Sequence, residues 1–154
     1  MKKILFFIII GMIVLSACNN NKLLEQRHEF KNYTWNRFDS LMFETKITDA
    51  QQKYNIYLTV RYITQYPYDN LKVNFTVLSP AGDQRTTLHT FKVKDSDGKL
   101  LGDGAGDLYD LKLQVKQNIC FNQVGVCKFQ IDNLMDHYDI PGLVDFGILV
   151  EKAK

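Results

Sequence analysis

The sequence lacks two features that would place it in large functional classes: a long apolar run and an excess of charge of either sign. Its longest apolar run covers residues 4–15, with Gly11 inside it, whereas a helix that spans a membrane comfortably needs roughly 20 residues. The full chain carries a formal net charge of +2. A nucleic-acid-binding protein would show a basic patch, so this near neutrality argues against that class.

The sequence also lacks the short motifs that carry common catalytic chemistry. It contains no H-E-x-x-H metal motif and no G-x-S-x-G nucleophile elbow, and His28, His89 and His137 are far apart in the chain. A dinucleotide loop must open a helix, but the glycine-rich segment 102–106 leads into a strand pattern at Tyr109. We therefore predict that the protein is not an enzyme and has no cofactor other than a covalent lipid. An enzyme would need a cleft with converging titratable groups.

What is present at the N-terminus is typical of a lipoprotein signal peptide. Lys2 and Lys3 precede the apolar run, which ends in Leu15-Ser16-Ala17-Cys18. The small residues fit a narrow peptidase cleft, and the cysteine thiol can carry a diacylglycerol. Buried acyl chains contribute ~0.8 kcal/mol per methylene, so a Cys18 that carries palmitate or similar chains is a stable membrane anchor. The alternatives are an ordinary secretory signal with a chance cysteine, or an N-terminal anchor helix.

These features divide the chain into three predicted parts. Residues 1–17 form a signal peptide that is removed, residues 18–27 form a polar, lipidated tether, and residues 28–154 form one domain. Removal of Lys2 and Lys3 from the 19 basic side chains leaves 17, which balance the 17 acidic ones. The exported protein is therefore formally neutral, and the lipid provides its attachment to the membrane.

Apolar and polar residues alternate with a period of two through most of this domain, a pattern typical of half-buried strands. Clear runs begin at Tyr54, Leu71, Tyr109, Cys127 and Val144, and weaker runs cover residues 41–47 and 86–94. Turn signals at residues 80–83, 97–98 and 141–142 separate the runs. Residues 133–138 could form a helical turn or two. Seven or eight short strands predict an all-β fold, an antiparallel β-sandwich.

Two cysteines, Cys120 and Cys127, remain after Cys18. Export places them in an oxidising compartment, and a bridge would close an eight-residue loop. Loop closure of that length is worth about 2.5 kcal/mol. A catalytic cysteine would need an accessible thiol of low pKa, and this pair is better explained as a staple. We predict a disulfide, with two buried free thiols as the alternative.

The turn Tyr66-Pro67-Tyr68 is the best candidate for a contact surface. Exposed tyrosines are enriched at protein interfaces because they offer a large area with few rotatable bonds. Alternatively, both rings pack on the edge of the sandwich. A surface map would distinguish a protein-docking patch from the shelf of exposed aromatic rings, on one sheet face, that a carbohydrate-binding module needs.

An acidic, glycine-spaced segment is a weaker candidate, for calcium. Its carboxylates could offer the oxygen ligands that calcium prefers, and they belong to Asp95, Asp97, Asp103, Asp107 and Asp110. The spacing is not that of an EF-hand loop, and turn chemistry accounts for Asp-Gly pairs equally well. Our prediction for this segment is therefore no metal.

Three stretches, in their order and spacing, resemble the family of gliding-motility lipoproteins called GldH. They are Tyr66-Pro67-Tyr68-Asp69-Asn70-Leu71, the glycine-rich link from Asp97 to Asp107, and Ile140 to Ile148. The resemblance covers nearly the whole chain. Where family members have Met-Arg before the Pro-Gly break, this chain has Met135-Asp136, which reverses a charge.

The resemblance implies a role in gliding motility, the surface-adhesin movement associated with type IX secretion, and it implies no enzyme activity. Protein components of that apparatus are the implied partners, and a cell-surface ligand such as carbohydrate is the alternative. Lipoproteins of gliding bacteria that reach the outer surface resemble one another in carrying acidic residues just after the cysteine. The segment Asn19-Asn20-Asn21-Lys22 has none, so we predict an outer-membrane position that faces the periplasm.

Overall fold

The computed structural model describes residues 21–153 and shows a fold built almost entirely from β-strands. Cys18 and the predicted signal peptide lie outside the described residues. One short 3-10 turn covers Lys31–Tyr33. The strands, in chain order, are β1 (Lys22–Glu29), β2 (Thr34–Asn36), β3 (Leu41–Ile47), β4 (Tyr54–Ile63), β5 (Asn70–Leu78), β6 (Gln84–Lys92), β7 (Asp103–Ala105), β8 (Leu108–Ile119), β9 (Gly125–Asn133), β10 (Asp139–Pro141) and β11 (Leu143–Lys152).

The strands form two main antiparallel sheets that pack face to face. The five-stranded sheet has the order β1-β11-β4-β8-β7, and the four-stranded sheet has the order β3-β9-β5-β6. A small ribbon of β10 and β2 lies beside them. This arrangement confirms the predicted all-β sandwich. Between residues 21 and 153 the structure holds no helix whose length and apolarity would suit a membrane span.

The core consists of the apolar side chains that the alternation pointed inward. Ile56, Leu58 and Val60 of β4 lie opposite Val150, Ile148 and Phe146 of β11, and all six are at most 1% exposed. In the facing sheet, the rings of Phe75 and Phe129 stack with centroids 6.0 Å apart. Burial of one such side chain stabilises the fold by roughly 1.5–3 kcal/mol. Hydrophobic burial therefore selects the strand register that the sequence pattern indicated.

The number of strands is larger than predicted, because eleven are present in the described part of the chain. Three of the additional strands, β2, β7 and β10, have only three residues each, too few to show an alternation. The helical turns suggested for residues 133–138 are wrong, since β9 continues to Asn133 and an irregular loop follows. Asn133 Oδ1 accepts a hydrogen bond from the backbone N–H of Met135 at 2.9 Å, and such local side-chain bonds compete with helix formation.

The structure corrects the prediction that the chain up to residue 27 is a tether. Residues 22–27 are part of β1, which pairs antiparallel with β11 from Lys22 opposite Glu151 to Glu29 opposite Asp145. Only Leu24 of this strand is buried. The segment therefore looked like a linker because an edge strand with a mostly exposed surface needs no alternating pattern.

A network of charged side chains on the outer face of the five-stranded sheet fixes β1 in place. Arg27 of β1 donates to Asp145 of β11 at 2.6 Å, and the Asp145 side chain is only 5% exposed. Arg61 of β4 donates two hydrogen bonds, both 3.0 Å long, to the two carboxylate oxygens of Asp110 in β8. A Cβ at Gly147 would lie 2.8 Å from Cγ of Arg27. Because Gly147 has no side chain, the methylene groups of Arg27 can lie directly over it.

The two ends of the sandwich differ in what they hold. At the N-terminal end lie Asn21, Ala153 and the loops of residues 48–53, 79–83 and 120–124, whereas the distal end holds the loops of residues 64–69, 93–102 and 134–138. β4 has ten residues, and at ~3.4 Å per residue it separates the two ends by about 34 Å. This polarity decides which surface an N-terminal anchor would leave exposed.

Candidate functional site

The aromatic-proline turn divides between the core and the surface. Tyr66 is 1% exposed, and its hydroxyl donates to the carbonyl of Asn70 at 3.1 Å. Burial, with smaller contributions from Tyr68 and Tyr62, raises the pKa of Tyr66 far above its usual value. Pro67 is exposed and Tyr68 is half-buried. Tyr66 therefore packs in the core, as the alternative predicted, and cannot form a contact surface. Of this turn, Pro67 and Tyr68 remain candidates for such a surface.

Pro67 and Tyr68 line a groove at the distal end, here called the Tyr68 groove. Its volume is about 340 Å³, and it is lined by Pro67, Tyr68, Asp69, Asn70, Lys72, Met135, Asp136 and His137. The rings of Tyr68 and His137 stack at 5.1 Å with an interplanar angle of 26°. Two segments that are far apart in sequence thus form one polar, aromatic surface, and the Met135-Asp136 charge reversal falls within it.

Close packing behind the groove explains how these loops are positioned. Gly142 has a φ of 87°, and a Cβ there would lie 3.0 Å from Cα of Tyr66. The carbonyl of Asp69 accepts hydrogen bonds from the backbone N–H groups of Val93 and Lys94 at 2.8 and 3.1 Å. The Pro-Gly break and the segment after β6 therefore both hold the turn from residue 66 to residue 69.

A second group of aromatic rings at the distal end is more exposed. Phe38 follows β2 and Tyr138 precedes β10, and their ring centroids are 5.7 Å apart. They are 74% and 66% exposed, and Tyr33 in the 3-10 turn is 54% exposed. Hydrophobic alternation does not indicate these rings, because they lie in loops and in the 3-10 turn. Large exposed rings next to polar groups suit contacts with another macromolecule.

The aspartates proposed as calcium ligands lie in different structural elements. The carboxylate of Asp95 accepts hydrogen bonds from the backbone N–H groups of Asp97 and Lys99, each at 2.9 Å, and so shapes its own turn. Asp103 lies in β7, Asp107 follows that strand, and Asp110 pairs with Arg61. No group of three potential metal ligands occurs within residues 21–153. In this structure the Asp-Gly pairs have the turn role that their chemistry allows.

The predicted bridge between Cys120 and Cys127 is not formed, because both thiols are free in the structure. Cys127 is fully buried in β9 of the four-stranded sheet, opposite Thr45. Cys120 is exposed just after β8 of the other sheet, with Sγ 3.9 Å from the carbonyl oxygen of Gln51. The alternation of β9 points Cys127 into the core, away from Cys120, and sequence spacing alone could not show that the two residues belong to different sheets.

We expect the two thiols to react at very different rates. Iodoacetamide should label Cys120 in the native protein and leave Cys127 unlabelled until the chain unfolds. Burial raises the pKa of Cys127 to about 12, so the reactive thiolate appears only as the pH approaches that value. Peptide mass spectrometry after labelling would check this result. Protection of both residues that is removed by a reductant would show the disulfide instead.

The other two histidines take structural positions. His28 in β1 meets Phe30 edge-on, with ring centroids 5.4 Å apart. Nε2 of His89 lies 2.9 Å from the hydroxyl of Thr87. Burial, and then the charge of Lys116, lowers the pKa of His89. Neither ring lies in the Tyr68 groove.

Fold and groove together define a β-sandwich domain with a polar, aromatic groove at its distal end. A family model described as GldH lipoprotein matches residues 22–150. The chain belongs to this family, which confirms the resemblance drawn from the three stretches and makes it a lipoprotein of the cell envelope.

Two relatives and one solved structure illustrate the similarity. The chain is 24% identical over 155 residues to the "Gliding motility lipoprotein GldH homolog" of Christiangramia forsetii, with 96% of this chain and 94% of the relative covered. It is 23% identical over 152 residues to the "Gliding motility lipoprotein GldH" of Flavobacterium johnsoniae, with 94% of each chain covered. It is also similar to a crystal structure of a non-crystalline-cellulose-specific carbohydrate-binding module, CBM28, at 7% identity and a TM-score of 0.48, over 86% of this chain and 74% of that one.

Proposed function

We propose that the protein is a membrane-anchored, non-catalytic accessory lipoprotein of the gliding-motility machinery associated with type IX secretion. In this proposal the sandwich docks a protein component of that machinery through its distal end. The names of both relatives, gliding motility lipoprotein GldH and its homolog, support the motility role. The docking role is supported by one observation, the meeting of the three family-like stretches at a single end.

The contacts at the distal end join all three stretches. Gly142, from the third stretch, lies against Tyr66 of the first. The backbone N–H of Thr64, just before the first stretch, donates to the carbonyl of Asp107, the last residue of the second, at 3.0 Å. The hydroxyl of Tyr62 donates to the carbonyl of Leu101, also in the second stretch. These contacts join residues 39, 43 and 76 positions apart. Distant segments therefore support one surface, which is the arrangement expected of a docking site held by a rigid scaffold.

The anchor would leave this surface free. Three residue steps separate Cys18 from Asn21, and at ~3.6 Å per step they span at most about 11 Å. Since Asn21 lies at the N-terminal end of the sandwich, lipid on Cys18 would hold that end close to the bilayer and present the distal end to the surroundings. The absence of acidic residues after Cys18 supports an outer-membrane location with the domain in the periplasm.

The position of the exposed rings favours a protein partner over the carbohydrate alternative. Tyr33, Phe38 and Tyr138 lie in the 3-10 turn and loops of the distal end. The carbohydrate hypothesis needed a shelf of rings on one sheet face. On the outer face of the five-stranded sheet, Tyr57 is half-buried and Nζ of Lys112 lies 3.9 Å from its ring centroid. Interface hot spots are enriched in aromatic residues, so the distal rings fit docking better.

Paired variants in a gliding strain would test the docking proposal. Deletion of the gene should stop gliding, and the double variant Tyr68→Ala with His137→Ala should be folded, inactive and unable to capture its partner. Loss of two stacked anchors costs about 2 kcal/mol or more of binding. Leu88→Ala is the matched control, because Leu88 is 60% exposed on β6 and lies outside the distal loops. A double variant that folds, keeps its partners and still loses function would argue for chemistry instead.

A further inference from the structure

We propose that a cleft at the N-terminal end of the sandwich binds the phosphate headgroup of an anionic phospholipid. The proposal rests on the lipid anchor at Cys18 described above, because that anchor brings the cleft to the bilayer. The cleft has a volume of about 330 Å³, near the lower limit of the roughly 300–1,000 Å³ found for ligand pockets. Arg85 and Lys116 line it together with the apolar residues Val77, Ile119 and Phe121.

The inner face of β6 supplies the first cation. Arg85, Thr87 and His89 pair with Val77, Phe75 and Val73 of β5, and those three partners are buried in the core. Side chains of directly paired residues point to the same face of a sheet. This part of β6 therefore presents polar groups toward the space between the sheets.

A β-bulge supplies the second cation. The alternation of β8 placed Lys116 on the outer face, but the structure pairs Lys116 with the buried Ile56, while Gln114 pairs with the neighbouring Tyr57. Val115 is thus an extra residue in β8. A bulge of this kind redirects the side chains beside it, and it turns Lys116 toward the cleft.

The charge in the cleft favours an anion. Arg85 and Lys116 contribute two positive charges, and Asp83 is the carboxylate among the lining residues. His89 lies close enough for Lys116 to lower its pKa, after the larger effect of burial, so its ring stays neutral near pH 7. The arginine fork and the lysine ammonium are the groups that proteins use to bind phosphate. The apolar residues beside them suit the glycerol and the first methylenes of a lipid.

Backbone contacts place the cleft at the end where the chain enters the sandwich. The carbonyl of Asn21 accepts a hydrogen bond from the N–H of Lys152, and the N–H of Ala153 donates to the carbonyl of Lys53, each at 2.8 Å. The neighbouring Gln51 carbonyl lies 3.9 Å from Sγ of Cys120, which also lines the cleft. An anchor within about 11 Å of Asn21 therefore holds the cleft against the lipid headgroups.

Cys120 provides a built-in probe for the test. Cys127 is buried, and lipidation would block Cys18, so an uncharged maleimide should report on Cys120. The mature lipoprotein is reconstituted into phosphatidylcholine vesicles with or without phosphatidylglycerol, and the labelling rates are compared. We expect phosphatidylglycerol to slow the labelling. Each basic residue close to an anionic membrane surface contributes about 1 kcal/mol to binding. Arg85→Gln with Lys116→Gln should therefore weaken binding of phosphatidylglycerol, and with it the protection of Cys120, by about thirtyfold.

The control pair Lys92→Gln with Lys99→Gln removes the same charge at the other end of the sandwich and should keep the protection. Equal labelling rates in the two kinds of vesicle would overturn the proposal. Inorganic phosphate that protects Cys120 as well as phosphatidylglycerol does would show that the cleft takes its anion from solution.

Intact-protein mass spectrometry before the labelling shows whether Cys18 carries acyl groups. If they are missing, the anchor is wrong, and flotation with phosphatidylglycerol vesicles then decides on the cleft separately. Partner capture through the distal end should be unchanged in Arg85→Gln with Lys116→Gln.

Discussion

Cys18→Ser should produce a full-length precursor that takes up no radioactive palmitate. The reason is chemical, because serine cannot form the thioether to diacylglycerol, and Cys120 and Cys127 lie far along the chain in the folded domain. The loss of label should be complete, since Cys18 is the predicted site of acylation. Metabolic labelling would measure it.

Ser16→Thr is a conservative neighbouring change that should still be lipidated, with slower cleavage because the larger side chain fits a narrow peptidase cleft less well. Labelling that persists in Cys18→Ser would remove the lipoprotein assignment of this residue.

In the wild-type protein, proteinase K added to intact cells should leave the domain intact if it faces the periplasm. Rapid digestion would place the domain on the outer surface.

Tyr66→Ala should lower the free energy of unfolding by about 3–5 kcal/mol, the range for replacing a buried aromatic side chain by alanine. Tyr66 is 1% exposed and its ring packs 5.6 Å from the ring of Tyr62, so the substitution leaves a cavity. It also removes the hydrogen bond to the carbonyl of Asn70. Urea unfolding followed by circular dichroism would give the value.

Two matched variants separate packing from surface contact. Tyr66→Phe removes only the hydroxyl and should cost about 1 kcal/mol. Tyr68→Ala should change stability much less than Tyr66→Ala, because Tyr68 is half-buried beside the groove, and its effect should appear in partner binding. Equal destabilisation by Tyr66→Ala and Tyr68→Ala would contradict this division of roles within the turn.

The local pattern of the sequence was sufficient for the central strands. Residues 41–47 were predicted as a strand, and β3 covers Leu41–Ile47. The inward phase of β4, β5 and β9 was also correct, since Ile56, Phe75 and Phe129 are fully buried. Alternation works here because each of these strands has one face in the core, and burial of that face dominates its energy. The lipid anchor is likewise a local prediction, which depends on a peptide read by a peptidase in extended form.

Tertiary structure decided what depends on neighbours. β1 exists because β11 offers it a hydrogen-bonding edge and Arg27 meets the nearly buried Asp145, and neither partner is visible in the segment itself. Tyr66 lies in the core, where Gly142 leaves room for its ring, whereas Tyr68 is half-buried beside the groove. A bulge at Val115 in β8 turns Lys116 from the outer face toward the cleft. Periodicity in the sequence shows which side of a strand is apolar. The location of a site depends instead on which distant strands pair, on which strands lie at the edges of the sheets, and on where bulges redirect side chains.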